Sequence, residues 1–141
     1  MSFNIRVYGL LIEKGQILLS DEKRFGKKFT KFPGGGLIQG EGIKDCLKRE
    51  FKEELSIDIE IVELFYLTDF YQESAFNKND QIISVYYVVK NNTNLKVNTS
   101  KKPFDFRSDN QGESFRWISL DEINENDVTF PIDKLVVKRL S

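Results

Sequence analysis

The segment Gly35–Ile57 reads GGLIQGEGIKDCLKREFKEELSI, a glycine-rich half followed by a helix-forming half. The second half contains no glycine or proline after Gly42. Its apolar side chains recur every fourth residue, at Ile43, Leu47, Phe51 and Leu55. Because this spacing brings side chains to one face of a helix, the sequence predicts an amphipathic α-helix over Ile43–Leu55.

Three glutamates of this helix fall on or beside its apolar face. At about 100° per residue, Glu50 and Glu54 lie within that face and Glu53 lies at its edge, next to Cys46. Carboxylates crowded on an inward face repel one another and lose hydration. A hard divalent ion such as Mg²⁺ or Mn²⁺ would compensate them, because such ions choose oxygen ligands. Taken alone, however, the helix is also typical of a solvated, salt-bridged surface helix.

The stretch that precedes the helix is unusually rich in glycine, with Pro33-Gly34-Gly35-Gly36 followed by Gly40 and Gly42. Glycine lets a backbone turn tightly and approach a ligand closely, and helix N-termini favour anions. The alternative for this stretch by itself is a plain flexible turn.

The composition removes several chemistries. There is no histidine, one cysteine (Cys46), and a formal charge of −1 from 21 basic and 22 acidic residues. Ser-His-Asp and Cys-His nucleophiles, histidine-rich zinc sites and internal disulfides are therefore excluded. A nearly neutral chain is also a poor general nucleic-acid binder, so no stable nucleic-acid partner is expected.

The rest of the chain alternates strand-like segments with turns and short helices, which predicts one α+β domain over residues 1–141 with a mixed sheet. The predicted strands are Ile5–Ile12 and Gln16–Leu19 as a hairpin, one or two within Ile57–Tyr71, then Gln81–Val89 and Glu113–Ile118. The predicted connections are a basic loop over Asp21–Lys31, a polar turn over Gln72–Asp80, and a surface connection over Asn91–Gly112 with a short strand around Leu95–Val97. The predicted terminal helices are Leu120–Asn124, capped by Ser119, and Ile132–Leu140, started by Pro131.

The N-terminal MSFNIRVYGLLIEKG has no basic leader region, and its apolar run is short and interrupted by Glu13. Neither a signal peptide nor a membrane span is predicted, so a cytoplasmic protein without a membrane partner is expected.

Taken together, Gly35–Ile57 resembles the Nudix box. That family pattern is Gly, five residues, Glu, seven residues, Arg-Glu, a bulky apolar residue, any residue, Glu-Glu, any residue, Gly and an apolar residue. The matching positions here are Gly35, Glu41, Arg49-Glu50, Phe51, Glu53-Glu54 and Ile57. The looser resemblance extends to the strand with Trp117 and to Phe130-Pro131 at the start of the last helix.

The resemblance implies an α/β/α sandwich around a mixed sheet, in which the box forms a loop–helix–loop. It implies that Glu50, Glu53 and Glu54 bind Mg²⁺ or Mn²⁺ together with the backbone carbonyl of Gly34. It further implies that Arg49 orients one carboxylate, most naturally Glu50, and that Gly35 supports the loop. Glu41 would either support the loop or bind metal through water. The implied reaction is attack of water on a phosphorus of a nucleoside-diphosphate-like substrate.

Three positions depart from the family pattern. Ser56 replaces the glycine that ends the helix in a left-handed conformation, where serine is strained by about 1 kcal/mol. Phe51 is bulkier than the usual aliphatic residue, and Ile38 replaces a glutamate often found before the first box glutamate.

Residues outside the box are assigned with alternatives. Glu113 is the first candidate for a general base and Glu73 the second, and either is also typical of a surface residue. Five basic side chains precede the glycines: Lys23, Arg24, Lys27, Lys28 and Lys31. They could attract a polyphosphate, or they could simply belong to a solvated loop. Several aromatics are candidates to stack on a base or to fill the core: Tyr8, Phe70, Tyr71, Phe76, Phe104 and Phe106.

The resemblance favours a small-molecule nucleotide-type substrate, and related proteins are often homodimers. Three other functions are weighed. A catalytically silent nucleotide-sensing module is disfavoured by the intact glutamates, and a prenyl diphosphate isomerase by the short chain and the missing histidine. An RNA cap hydrolase finds no support in the acidic pI.

Overall fold

The computed structural model describes residues 1–106 and 112–140. The strands are β1 (Ser2–Glu13), β2 (Gln16–Arg24), β3 (Lys27–Lys31), β4 (Gly34–Gly36), β5 (Ile59–Leu67), β6 (Asp80–Asn91) and β7 (Glu113–Ser119). The helices are α1 (Ile43–Leu55) and α2 (Pro131–Leu140), and a 3₁₀ turn covers Glu125–Asp127. The predicted α+β class with a mixed sheet is confirmed, and α1 covers the residues that the apolar spacing indicated.

The backbone groups into two compact units, which are described separately. The first unit contains Met1–Leu11 and Pro33–Leu95. In it β6 runs parallel to β1, while β4 pairs antiparallel with β1 and β5 antiparallel with β6. Because a side chain at Gly9 would come within 2.5 Å of the Phe51 ring, the absence of one lets α1 approach β1 closely.

The second unit contains Ile12–Phe32 and Lys96–Ser141. In it β2 pairs antiparallel with the end of β1, with β3 and with β7. Lys14 and Gly15, both with positive φ (50° and 77°), make the β1–β2 turn, as in common tight hairpins. α2 buries Ile132, Val136 and Val137, so its amphipathic face forms part of the core of this unit.

One predicted connection is wrong. The expected basic loop over Asp21–Lys31 is instead the end of β2 and all of β3, two antiparallel strands. The strands were missed because their charged residues were expected to be exposed. In the structure Asp21 is buried against Arg116, and Glu22 is buried against Lys31. Charge suggested exposure, whereas ion pairs allow burial here.

Two smaller expectations are also wrong. Leu95–Val97 forms no strand, although Val97 is buried. Leu120–Asn124 is not a helix, because the Ser119 hydroxyl accepts from the Asp121 N–H and closes only a turn. The Asn91–Gly112 connection contains no regular element in its described part, and 107–111 lie outside the described residues. β5 is a single strand with two register shifts.

Candidate active site

Arg49 organises the glycine-rich loop and the first half of α1. Its Nε donates to Glu41 Oε2 at 2.9 Å, and its Nη2 donates to Glu41 Oε1 at 2.8 Å. Nη2 also lies 3.2 Å from the Gly36 carbonyl oxygen, and it donates to that oxygen. The planar guanidinium can donate two parallel hydrogen bonds to a carboxylate with little loss of side-chain entropy. These two bonds hold the loop against the helix.

The same guanidinium reaches two helix carboxylates. Nη1 donates to Glu50 Oε1 at 2.8 Å and to Glu53 Oε2 at 3.2 Å. Glu41, Glu50 and Glu53 therefore surround one cation. The contact to Glu50 is the one that the sequence analysis singled out.

The Glu50 carboxyl group lies against the glycine-rich strand β4. A Cβ on Gly35 would lie 2.5 Å from the Glu50 carboxyl carbon, so no side chain fits between this strand and the carboxylate. Gly34, the residue before it, pairs with Tyr8 in the β1–β4 ladder. The structure thus places the Glu50 carboxylate beside the backbone of the glycine cluster.

The three helix glutamates differ in burial. Glu50 and Glu54 are half-buried, as the helical projection indicated. The Glu53 side chain is 59% exposed and is held by Arg49. The expectation that all three point into the protein body is therefore correct for two of them, while the third lies at the rim.

Contacts around Arg49 shift the ionisation of its neighbours. Hydrogen bonds from Arg49 and from the Ile38 N–H lower the pKa of Glu41 to about 2, from an ordinary 4.5. Glu41 in turn raises the pKa of Arg49, which stays charged. Burial and the neighbouring Glu41 raise the pKa of the Cys46 thiol to about 12, so this cysteine is a neutral packing residue.

The end of α1 shows the left-handed conformation expected at the position of the family glycine. Ser56 has φ 58° and ψ 30°, and its N–H donates to the Lys52 carbonyl oxygen at 3.1 Å. Serine thus makes the required turn although its Cβ disfavours it.

The basic side chains before the glycines do not form one surface group. Lys31 is buried, and its Nζ lies 2.8 Å from Glu22 Oε2 and 3.2 Å from the Phe32 carbonyl oxygen. Lys23, Arg24, Lys27 and Lys28 are exposed. The Glu22–Lys31 pair was missed in the sequence, because SDEKR is polar throughout and shows no apolar alternation that would extend β2.

The aromatic candidates separate into three groups. Tyr8 is buried and its ring lies 5.2 Å from that of Tyr86, so it belongs to the core. Phe104 and Phe106 are half-buried and contact each other in the second unit, at 6.1 Å between ring centroids. The exposed members are Phe70, Tyr71 and Phe76.

The two candidate bases lie in different settings. Glu113 opens β7 in the second unit, is half-buried, and lies directly opposite Glu22 in the β2–β7 ladder. One carboxylate oxygen of each lies within 4.8 Å of the other. Glu73 is exposed in the first unit and forms an isolated bridge with Gln81.

The box glutamates carry the oxygen donors that a hard divalent cation prefers. Glu50, Glu53 and Glu54 lie at positions i, i+3 and i+4 of α1, and Glu50 adjoins the glycine backbone. The sequence offers neither histidine nor a second cysteine. Oxygen-only donors fit Mg²⁺ or Mn²⁺ better than a softer metal.

The NUDIX domain family model matches residues 3–140, so the chain belongs to the Nudix family. This assigns it to the class of Nudix hydrolases, as the box indicated. Among curated proteins, 55 residues are 36% identical to an mRNA-decapping protein of Variola virus. That alignment covers 37% of this chain, and the chain spans about a fifth (22%) of the length of that relative.

Solved Nudix structures share the fold. A NUDIX hydrolase from Nitrosomonas europaea is 19% identical with a TM-score of 0.70, covering 96% of this chain and 86% of that one. A MutT NUDIX hydrolase from Burkholderia pseudomallei is 17% identical with a TM-score of 0.71, covering 99% and 98%. A MutT protein from Methanosarcina mazei Go1 is 21% identical with a TM-score of 0.71, covering 98% and 92%. These likenesses confirm the Nudix fold expected from the sequence.

Neither described helix has the length and apolar character needed to cross a membrane.

Proposed function

We propose that this protein is a divalent-metal-dependent hydrolase that cleaves a phosphoanhydride in a nucleoside diphosphate linked to another moiety. The observation that carries the proposal is the Arg49 guanidinium, which contacts Glu41, Glu50 and Glu53 at 2.8–3.2 Å. One cation thereby holds the loop and two carboxylates in a fixed arrangement. Membership of the Nudix family supports the same reaction class.

Glu50, Glu53 and Glu54 are the residues that would hold Mg²⁺ or Mn²⁺, with the Gly34 carbonyl as a further ligand. Such an ion would polarise phosphate oxygens, lower the pKa of a bound water and neutralise charge on the leaving phosphate. The chain's own contribution is to hold its ligands in position. Arg49 fixes Glu50 through a 2.8 Å hydrogen bond, and Gly35 leaves the space that the Glu50 carboxylate occupies.

A general base is needed to take a proton from the attacking water. Glu113 remains the first candidate, because its half-buried carboxylate lies near that of the buried Glu22. A positioned carboxylate can serve as a general base for the attacking water. Glu73 is the second candidate, and its exposure gives it no comparable neighbour among the contacts described.

The exposed Lys23, Arg24, Lys27 and Lys28 supply positive charge on β2 and β3. We propose that these side chains attract the polyphosphate part of the substrate. Lys31 is excluded from this group, because its charge is already matched by Glu22.

The test is a screen for released phosphate and nucleoside monophosphate, with and without Mg²⁺. The panel contains sugar nucleotides, oxidised nucleoside triphosphates, dinucleoside polyphosphates and ADP-ribose. Turnover of at least one member that disappears on chelation supports the proposal. Saturable binding without turnover on the whole panel would favour the silent sensing module instead.

Capped RNA is a second candidate substrate. It is favoured by the 36% identity over 55 residues to a protein whose name gives it an mRNA-decapping role. The formal charge of −1 favours a small nucleotide over RNA. A short capped RNA and the free cap dinucleotide in the same screen would distinguish the two.

A cytoplasmic location and a single-domain organisation over residues 1–141 stay predictions from the sequence.

A further inference from the structure

The tip of the β2–β3 hairpin has the sequence KRFGKK over residues 23–28, with four cations and a phenylalanine. Arg24 pairs with Lys27, so the turn between them has two residues. These are Phe25 and Gly26, and both have positive φ, at 52° and 74°. Such turns favour asparagine or aspartate before the glycine. Local backbone preference therefore does not explain Phe25, because its Cβ is crowded in the left-handed region.

The side chain of Phe25 is also the most exposed large apolar side chain in the part of the chain that the structure describes, at 87%. Burial therefore contributes little to keeping a phenylalanine at this position. Unfavourable backbone conformations are concentrated at functional sites, where the surrounding structure holds them. An exposed aromatic ring among cations is the arrangement on which nucleobases stack.

A second aromatic segment of the same unit contacts this hairpin. Phe104 also has a positive φ (55°), and its N–H donates to Asp21 Oδ2 at 3.2 Å. Lys28 Nζ lies 5.8 Å from the centroid of the Phe104 ring, and the Phe106 ring meets the Phe104 ring edge-on at 6.1 Å. Asp21 is fully buried and accepts a hydrogen bond from Arg116 Nε at 2.8 Å. This buried ion pair therefore holds the Phe104 segment against the sheet.

Positive charge is concentrated on the two segments. Residues 23–28 and 101–106 contain six of the 21 basic residues and one of the 22 acidic residues. All six basic residues are exposed, and Lys23 lies directly opposite Lys28, so these two project from one face of the sheet. The rest of the chain has 15 basic and 21 acidic residues. The formal charge of −1 therefore conceals a local positive surface, and we call residues 23–28 and 101–106 the basic–aromatic surface.

We propose that the basic–aromatic surface binds a short segment of single-stranded nucleic acid. The exposed cations contact phosphates, and the rings of Phe25 and Phe104 stack on bases, a combination that tolerates any sequence. Phe25 precedes Lys28 by three residues, about 10 Å along a strand, so one strand of a few nucleotides spans both rings. Because few phosphates are contacted, the complex is weak and sensitive to salt, in keeping with the expectation of no stable nucleic-acid partner.

Two other anionic partners fit this surface less well. An anionic membrane attracts basic residues and takes up exposed apolar side chains. Only Phe25 could insert in that way, because Phe104 and Phe106 are half-buried. The polyphosphate assigned above to the basic side chains of β2 and β3 needs their charges and neither ring. The contribution of the two rings to binding therefore distinguishes a nucleic-acid strand from both alternatives.

Fluorescence anisotropy with a labelled single strand of about 12 nucleotides, as RNA and as DNA, tests the proposal. Measurement in EDTA separates binding from hydrolysis, so the outcome does not depend on the proposed function. Between about 50 and 200 mM salt, the affinity should fall with a slope of about −0.7 for each phosphate contacted. Phe25→Ala and Phe104→Ala should each weaken binding about fivefold or more without changing the slope. Lys28→Gln should weaken binding and make the slope less steep by about 0.7.

Matched controls lie outside the basic–aromatic surface. Phe3 is 69% exposed on β1 and Lys90 is exposed on β6, so Phe3→Ala and Lys90→Gln should bind as the wild type does. Phe25→Trp should keep the affinity, because tryptophan also offers a ring for stacking. Tighter binding of RNA or of DNA identifies which strand is the ligand.

Four results overturn the proposal. The first is no binding of either strand at about 50 mM salt, where phosphate contacts are strong. The second is equal loss of affinity in Phe3→Ala and Phe25→Ala. The third is a duplex of the same sequence that binds as tightly as the single strand, because paired bases stack on one another and leave the rings no face. The fourth is binding to vesicles of phosphatidylserine and phosphatidylcholine without binding to either strand, which would assign the surface to a membrane.

Discussion

Arg49 and Glu41 are joined by two hydrogen bonds, one to each carboxylate oxygen, at 2.9 and 2.8 Å. The two residues lie on opposite sides of the loop-to-helix junction, and Arg49 also contacts Glu50 and Glu53. This fork therefore couples the position of the glycine loop to that of the proposed metal ligands.

Arg49→Lys should disrupt the fork, because a lysine ammonium does not bridge two carboxylate oxygens in one plane. We expect kcat to fall about 10- to 100-fold, the range found when groups that position metal ligands are changed. Steady-state kinetics on the substrate found in the screen provides the measurement. Lys48→Arg, an exposed change one residue earlier, should have wild-type kinetics. Equal loss in both variants would contradict a role specific to Arg49.

Glu53→Gln should reduce kcat by roughly a hundredfold or more, with little change in stability. The residue is 59% exposed, so its removal leaves the core intact while a negative metal ligand becomes neutral. Titration with Mn²⁺ should show weaker binding in parallel with the lost activity. Glu60→Gln, an exposed glutamate on β5, is the control for general charge effects. Full activity of Glu53→Gln would remove it from the proposed ligands.

Gly35→Ala should damage activity more than folding. The added Cβ would meet the Glu50 carboxyl group at 2.5 Å, and the end of that flexible side chain must move away. We expect a loss of kcat of about tenfold or more, since the displaced group is a proposed ligand. The neighbouring Gly36→Ala faces Arg6 at 3.3 Å instead and should retain most activity. Equal kinetics for the two variants would show that Glu50 tolerates the displacement.

The sequence predicted α1 to the residue and the contact between Arg49 and Glu50, because the helix is strongly periodic and the box fixes the spacing. It did not predict the fork between Arg49 and Glu41. It also did not predict that Glu53 would be exposed. A helical projection shows on which face of the helix a side chain lies, but it does not show how far the neighbouring segments cover that face. β3 was missed for another reason. Its charged residues pair across the sheet, as Lys31 does with Glu22, and such pairing has no local signal.

Ser56→Gly should stabilise the protein by about 1 kcal/mol, because Ser56 adopts a left-handed conformation that glycine accepts without strain. For a chain of this length the midpoint of thermal unfolding should rise by about 3 °C. Ser56→Ala keeps a Cβ and should bring no such gain. If alanine raised the midpoint as much as glycine, backbone strain would not be the cause.

Glu41 makes a contribution to stability that depends on pH. Its pKa is about 2 in the folded protein, below the ordinary 4.5, chiefly because Arg49 donates hydrogen bonds to its ionised form. A carboxyl group with a lowered pKa favours folding above pH 4.5, and this contribution is lost as the pH falls from there through 2. The wild type should therefore unfold at a higher temperature than Glu41→Gln at pH 7, with the gap narrowing between pH 4.5 and 2. Glu60→Gln, made at an exposed position on β5, should show no such convergence with the wild type. A gap between wild type and Glu41→Gln that stayed constant down to pH 2.5 would mean that the ionised Glu41–Arg49 fork does not stabilise the fold.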